Sequence, residues 1–115
     1  MSLRFGTDGV RGVANTELTP TFALALGAAV VDAFDTTQVV IGVDTRRSGS
    51  MLAAAVSAGV ASAGADAIEL EVIPTPAVAR EARVRNCPGV MVSASHNAFQ
   101  DNGLKVFGPG GQKLS

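Results

Sequence analysis

The sequence predicts an α/β fold, a three-layer α/β/α sandwich with a mixed, mainly parallel sheet. Short apolar runs of strand length alternate along the chain with longer stretches of helical periodicity. Such alternation is typical of parallel strands joined by right-handed helical crossovers. The last strand follows its predecessor after a short polar loop that leaves no room for a helix, so we expect it to be antiparallel. We expect residues 1–115 to form a single domain.

Composition restricts the class of protein. The 115 residues are 47% hydrophobic and 17% charged, which is typical of a globular chain. A formal net charge of −1 gives no electrostatic reason to expect a nucleic-acid partner. The longest apolar stretch, residues 22–31, is too short to cross a bilayer, and no signal-peptide pattern is present, so we expect a cytoplasmic protein without a membrane partner. Cys87 is the only cysteine and is expected to pack in the core.

Periodicity and the residues at element ends predict the individual helices and strands. The helices are predicted over residues 20–34, 50–63 and 76–85, and the strands over residues 39–43, 67–73, 89–92 and 104–107. Thr19 and Pro20 are a favourable N-cap and first helical residue, and Ser48 or Ser50 should cap the second helix. A short strand at residues 3–5 and a return strand or helix from residue 112 complete the expected order.

Acidic residues alternate with apolar ones along the strand predicted over residues 67–73. Glu69 and Glu71 are two positions apart, so they belong to the same face of that strand. We expect this face to be solvated and the strand to lie at an edge of the sheet or to be partly exposed.

One polar break near the end of the chain is the main candidate site. The apolar run 89–92 is typical of a buried strand, and Ser95, His96 and Asn97 follow at its carboxyl end, where open α/β sheets hold ligands. Lys105 comes about one short hairpin later and is one of only two lysines. A serine beside a histidine with a lysine nearby suits nucleophilic or phosphoryl-transfer chemistry. The alternative is a polar turn whose side chains bond the local backbone.

Two arginine-containing segments are candidate anion sites. Arg11 lies among three glycines that permit tight turns and close approach to a ligand, and its guanidinium could bind a phosphate through two parallel hydrogen bonds. The alternative is a glycine-rich hairpin with a solvated arginine. Arg46 and Arg47 follow the strand at residues 39–43. They either turn away from the positive end of the next helix or join its amides in an anion site.

Three segments together resemble the α-D-phosphohexomutases. The active-serine segment of that family is similar to residues 93–97 (SASHN) followed by residues 102–105 (NGLK). Within the family, residues 6–12 (GTDGVRG) are similar to the N-terminal signature of the phosphoglucosamine mutases. A third landmark resembles residues 39–48 (VVIGVDTRRS). The three segments fall in the family's order and span nearly the whole chain.

The resemblance implies an enzyme that moves a phosphoryl group between two sugar hydroxyls through a phosphoserine. For the phosphoglucosamine mutase branch, the reaction interconverts glucosamine 6-phosphate and glucosamine 1-phosphate. The alternatives are a phosphoglucomutase or phosphomannomutase, and a non-catalytic phosphate-binding or structural α/β domain. The implied catalytic residues are Ser95 as phosphate carrier, His96 and Lys105 as proton-transfer groups, and Arg11, which binds phosphate. The residues implied to bind phosphate or substrate are Arg11, Arg46, Asn97 and Lys105.

The resemblance also implies partners that this sequence does not supply. One Mg²⁺ would take a ligand from the phosphate on Ser95 and its other ligands from an Asp-Gly-Asp loop, which is absent from these 115 residues. A sugar phosphate substrate, a sugar bisphosphate activator and the remaining domains of the enzyme are expected. We therefore expect the N-terminal, phosphoserine-bearing domain of a multi-domain enzyme, inactive by itself. Ala98 departs from the family pattern, which usually has proline there.

Overall fold

The computed structural model describes residues 10–13, 18–45, 48–93 and 101–114. The elements in chain order are β1 Val10–Val13, α1 Pro20–Phe34, β2 Gln38–Val43, α2 Gly49–Ser62, β3 Asp66–Val72, α3 Thr75–Arg85, β4 Gly89–Val92 and β5 Asp101–Phe107. The short strand expected at residues 3–5 lies outside the described residues. The three predicted helices and the four strands predicted by periodicity are confirmed, with ends that shift by a few residues.

In the described part of the chain, five strands form one sheet in the order β1-β5-β4-β2-β3. β2 pairs in parallel with β3 and β4, whereas β5 pairs antiparallel with β4 and β1. Four strands therefore run in one direction and β5 runs against them. This is the mixed, mainly parallel sheet that the sequence predicts, with its antiparallel strand after the short loop.

Alternation along the strands divides the core between the two faces of the sheet. Ile41 and Val90 pack on the face covered by α1 and α2. Val40 and Met91, their chain neighbours, pack with Val78 of α3 on the opposite face. Because side chains of a strand alternate between faces, each inner strand contributes to both halves of the core. The result is a three-layer sandwich, which confirms the predicted architecture.

α1 and α2 approach so closely that glycine is required where they cross. A Cβ added at Gly27 would collide with the carbonyl oxygen of Val56, and one added at Gly59 would collide with that of Leu24. The α1 N-cap is the predicted one, since Thr19 Oγ1 accepts a hydrogen bond from the Phe22 amide at 3.1 Å. The close approach leaves little room for the two helices to shift against each other.

Two parts of the chain differ from the sequence prediction. The sequence does not predict β1, because its glycine-rich surroundings indicate turns. β1 is extended because it pairs with β5, in a register that places Val10 opposite Leu104 and Val13 opposite Asp101. The same pairing makes β5 begin at Asp101 instead of residue 104. The choice between a return strand and a helix after residue 112 is settled by an isolated antiparallel bridge between Phe107 and Lys113.

β3 lies at the edge of the sheet in the described residues, as its acidic residues predict. Glu69 and Glu71 are both exposed. The pairing with β2 is irregular, because Ile41 pairs with Glu69 while the next residue, Gly42, pairs with Glu71. Leu70 is therefore the extra residue of a β-bulge, and Glu71 has a positive φ of 63°. The bulge twists the edge strand and interrupts its regular ladder of backbone groups.

Cys87 packs beneath α3, as expected from the sequence. Its side chain is almost completely buried and lies in the same cluster as Val78 and Met91. Burial raises the pKa of this thiol, which keeps it protonated and unreactive at neutral pH. Among the described residues, no helix has the length and apolar character needed to cross a membrane.

The helix crossing yields a stability prediction. Gly59→Ala should destabilise the chain by about 1–3 kcal/mol, because steric overlap with the Leu24 carbonyl outweighs the higher helix propensity of alanine. Chemical denaturation followed by circular dichroism measures the change. Ala58→Gly, at an exposed position of the same helix, is the matched control and should cost about 1 kcal/mol through propensity alone. A more stable Gly59→Ala variant would contradict the close packing.

Candidate active site

Three strand ends meet at one edge of the sheet. β2 and β4 are parallel neighbours, with Val43 paired to Val92, so their carboxyl ends lie side by side. Val92 also pairs with Leu104, which brings the amino end of the antiparallel β5 to the same edge. Carboxyl ends of parallel strands are where open α/β sheets hold ligands. The predicted serine segment, residues 94–100, connects two of these three strand ends.

Ser93, which directly follows β4, is bonded to the end of β2. Its Oγ donates a hydrogen bond of 2.8 Å to Oδ2 of Asp44, and its amide donates to the Gly103 carbonyl at 2.9 Å. The amide of Asp44 donates in turn to the Val92 carbonyl at 3.2 Å. Ser93 is only 7% exposed. The chain therefore enters residues 94–100 from a point that is fixed on both neighbouring strands.

Asn102 fixes the point at which the chain returns to the sheet. Its side chain is completely buried. Nδ2 donates a hydrogen bond of 2.7 Å to Oγ of Ser48, and Oδ1 accepts one of 2.9 Å from the Gly103 amide. Both ends of the amide thus have partners, as a buried polar group requires. The bond to Ser48 joins β5 to the residue that precedes α2.

Ser48 is the N-cap residue of α2, one of the two positions that the sequence predicts. Its side chain nevertheless makes no capping hydrogen bond. The backbone of Ser48 is helical, with φ −76° and ψ −6°, whereas a capping side chain normally requires extended backbone. The hydroxyl instead accepts the hydrogen bond from Asn102. The predicted cap is confirmed in position, but its side chain serves the contact with β5.

Lys105 and the backbone of Arg11 lie on adjacent strands. Lys105 is partly buried on β5, directly opposite Met91 of β4. Arg11 pairs through its backbone with Gly103, two positions before Lys105 on the same strand. Strand pairing thus brings together two predicted site residues that are far apart in the sequence. The other predicted site residues lie outside the described residues; these are Ser95, His96, Asn97 and Arg46, together with Arg47 and Ala98.

The contact with Asp44 makes Ser93 unsuitable for carrying a phosphate. Its hydroxyl already donates to a carboxylate oxygen at 2.8 Å in a mostly buried position. A phosphoryl group there would remove the donor and place a charge of about −2 beside the carboxylate. The repulsion and the desolvation of that charge would both disfavour the modified state. In this structure the hydroxyl of the first serine of the segment makes a structural contact.

The described residues do not by themselves form a metal site. Within residues 10–13, 18–45, 48–93 and 101–114, no three His, Cys, Asp or Glu side chains come together in a way that could hold an ion. Asp44, the carboxylate at the carboxyl edge of β2, already accepts the hydrogen bond from Ser93. A magnesium ion would need most of its ligands from elsewhere.

A cavity of about 260 Å³ lies near the edge strand, between α2 and strands β2 and β3. Glu69 and Glu71 contribute to its wall, together with apolar residues such as Ile41 and Val72. Two carboxylates repel a phosphate, so this cavity does not suit the anionic ligand that the arginines and Lys105 indicate. The candidate site remains at the junction of β2, β4 and β5.

Sequence reasoning missed the side-chain contacts that form this junction. Asp44, Ser48, Ser93 and Asn102 all occur in the family-like segments, but the local patterns there indicate phosphate chemistry and helix capping. The one available signal is position, because each of the four lies next to a predicted polar break. Their pairing depends on contacts between residues 49 and 54 positions apart, which local patterns do not reveal.

Comparisons with known proteins identify the family of this chain. The phosphoglucosamine mutase of Mycobacterium leprae (strain TN) is 55% identical over 121 residues, which cover 99% of this chain and 26% of the relative. That of Mycolicibacterium vanbaalenii is 54% identical, with coverages of 99% and 27%. A crystal structure described as a candidate phosphomannomutase from Thermus thermophilus superposes with a TM-score of 0.84 at 32% identity, covering 98% of this chain and 27% of that one.

A phosphoglucomutase/phosphomannomutase family protein from Burkholderia thailandensis superposes with a TM-score of 0.79 at 29% identity, covering 92% of this chain and 26% of that one. The chain thus spans about a quarter of the length of the relatives it matches. Residues 2–115 match the family described as phosphoglucomutase/phosphomannomutase, alpha/beta/alpha domain I. By this match over nearly its whole length, together with the identity to the named relatives, the chain belongs to the phosphohexomutase family and represents its domain I.

Proposed function

We propose that this chain is the phosphoserine-bearing domain of a multi-domain phosphoglucosamine mutase, which interconverts glucosamine 6-phosphate and glucosamine 1-phosphate. The observation that carries the proposal is the junction of β2, β4 and β5, where hydrogen bonds fix the residues on either side of the serine segment. The identity of 55% to relatives named phosphoglucosamine mutase supports the choice of sugar. Domain I supplies the phosphate carrier, and the other domains complete the cleft.

Ser95 is the phosphate carrier in this proposal. Its phosphoryl group passes to a free hydroxyl of the sugar phosphate, the P–O bond to serine breaks, and a sugar bisphosphate results. The second phosphoryl group of that bisphosphate then returns to Ser95 and leaves the isomeric sugar phosphate. A sugar bisphosphate activator restores the phosphoserine when it is lost. Such transfer depends mainly on in-line positioning and on cations that offset the charge of the phosphoryl group.

The basic residues divide between proton transfer and anion binding. His96 and Lys105 accept the proton of the attacking hydroxyl and supply one to the leaving oxygen. Arg11 binds phosphate with its planar guanidinium, and Arg46 and Asn97 assist. The backbone pairing of Arg11 beside the strand that carries Lys105 supports a shared site for these two. The contact of Ser93 with Asp44 supports Ser95 as the serine that is modified.

A magnesium ion belongs to the proposed enzyme, while the proton-transfer and anion-binding roles fall to this chain's own residues. When bound, the ion would offset charge on the phosphoryl group. The phosphate on Ser95 would be one ligand, and an Asp-Gly-Asp loop of another domain would supply the others; among the described residues, no three metal-ligating side chains come together. A cytoplasmic location is also proposed, since the single buried thiol of Cys87 suits a reducing compartment.

A phosphomannomutase or phosphoglucomutase is the second candidate. It is favoured by the structural match to the Thermus thermophilus protein, at a TM-score of 0.84. That match has 32% identity, however, against 55% for the relatives named phosphoglucosamine mutase. Turnover of glucosamine 6-phosphate compared with the mannose and glucose phosphates separates the two candidates.

Phosphate labelling tests the proposed carrier. The complete enzyme that contains this domain is incubated with a sugar bisphosphate, and the modified peptide is mapped by mass spectrometry. We expect phosphate on Ser95 and none on Ser93, and we expect the Ser95→Ala variant to lose both the label and mutase turnover. The 115-residue chain alone serves as a control that should not turn over. Phosphate on Ser93 alone, or on neither serine, would refute the assignment.

Substitution of Lys105 tests proton transfer. Lys105→Arg keeps the positive charge, but guanidinium does not release its proton in the useful range, so kcat of the complete enzyme should fall about 10²–10⁴-fold with little change in KM. Lys113→Arg is the matched control at the only other lysine, which is exposed, and should retain full activity. Full activity of Lys105→Arg would show that Lys105 acts only through its positive charge and transfers no proton.

A further inference from the structure

We propose that Asn102 is a positioning residue of the mutase site. Through Ser48 it fixes the start of β5 to the N-terminus of α2, and together with the Ser93–Asp44 pair it fixes the two residues, Ser93 and Asn102, between which the serine segment runs. The inference rests on the proposed function, because Ser95 follows Ser93 by two positions and Arg46 lies between Asp44 and Ser48 in the sequence. It assigns a role to the pair formed by the buried Asn102 and the partly buried Ser48, which takes no direct part in phosphate transfer.

Both the nitrogen and the oxygen of the Asn102 side-chain amide are hydrogen-bonded. Nδ2 donates to Ser48 Oγ at 2.7 Å, which is short for a bond from an amide nitrogen, and Oδ1 accepts from the Gly103 amide at 2.9 Å. The side chain is completely buried, so water cannot replace either partner. A shift of β5 away from α2 would leave a buried donor without an acceptor, which is strongly unfavourable. The bond therefore resists separation of these two elements.

A second bond acts on the opposite face of the sheet. Ser93 is two positions after Met91, so both belong to the face covered by α3, and the Ser93 hydroxyl bonds Asp44 there. Asn102 is two positions before Leu104, which belongs to the face covered by α1 and α2. Bonds on both faces resist rotation of the strand ends about their axes as well as translation. Together they act as a brace, formed by the Asn102–Ser48 and Ser93–Asp44 pairs.

The N-terminus of α2 lacks the capping hydrogen bond that a serine usually supplies there, because the Ser48 hydroxyl bonds Asn102. Ser48 is the N-cap residue of α2, but its hydroxyl bonds Asn102 and caps no backbone amide. An apolar residue in place of Asn102 would suit the surrounding Leu104 face without the cost of burying an amide. A directional polar pair sets distance and angle, whereas apolar contact does not. This precision matters at a site where a misplacement of about 1 Å can cost roughly 10²-fold in rate.

A double-mutant cycle in the complete enzyme tests the role. Asn102→Ala and Ser48→Ala should each lower kcat about 10- to 100-fold. The double variant should lose no more kcat than the more impaired single variant, because each substitution alone already removes the same hydrogen bond. KM should change much less than kcat, because neither Asn102 nor Ser48 itself contacts the substrate in the proposed site. Ser48→Thr keeps the hydroxyl and should therefore have a kcat close to that of the wild-type enzyme, unlike Ser48→Ala. Ser57→Ala, on the same helix and bonded to the exposed Glu69, is the matched control and should keep wild-type kcat.

The outcomes separate this role from a purely structural one. Activities are measured well below the unfolding temperature of each variant, and if Asn102→Ala does not fold, the Ser48→Ala and Ser48→Thr pair gives the same comparison. Unchanged kcat in folded variants, loss through KM alone, or additive losses would each overturn the inference while the wild-type enzyme remains active. Absence of any sugar-phosphate turnover by the wild-type enzyme would overturn the proposed function and this inference with it.

Discussion

The buried amide of Asn102 is the constraint on which the carboxyl edge of this domain depends. An unsatisfied buried amide costs about 1–3 kcal/mol, so the start of β5 must remain beside an acceptor, and Ser48 of α2 is that acceptor. The start of β5 lies beside the N-terminus of α2 because β5 is antiparallel to its neighbour β4. The amino end of the antiparallel β5 thus lies at the same edge of the sheet as the carboxyl ends of β2 and β4.

The surrounding layers keep this edge in place. Helices cover both faces of the sheet, and α1 packs against α2 at Gly27 and Gly59 without room for a further carbon atom. A rigid helix pair gives Ser48 a fixed position, and Ser48 in turn fixes β5. The positioning proposed for the serine segment would therefore depend in part on the packing of α1 against α2. Such dependence is expected where catalysis depends mainly on positioning.

Local sequence signals predicted most of the fold and only part of the site. Thr19 and Pro20 indicate the start of α1, and β-branched runs indicate the inner strands, because both signals act over a few residues. β1 was missed, since its glycines indicate turns until β5 is beside them. The brace was missed for the same reason: its partners are 49 and 54 positions apart, and only the folded sheet brings them together. The site roles of Ser95, His96, Asn97 and Arg46 stay predictions, and so do those of Arg11 and Lys105.

Exchange of the Asn102 side-chain amide protons with solvent, measured by NMR on the 115-residue chain, tests the brace most directly. We expect these protons to exchange as slowly as backbone amides within β4 and β5, because Nδ2 is buried and bonded to Ser48. The side-chain amide of the exposed Gln112 provides the fast reference. Slow exchange that becomes fast in Ser48→Ala would support the brace, whereas exchange of Asn102 as rapid as that of Gln112 in the wild-type chain would contradict it.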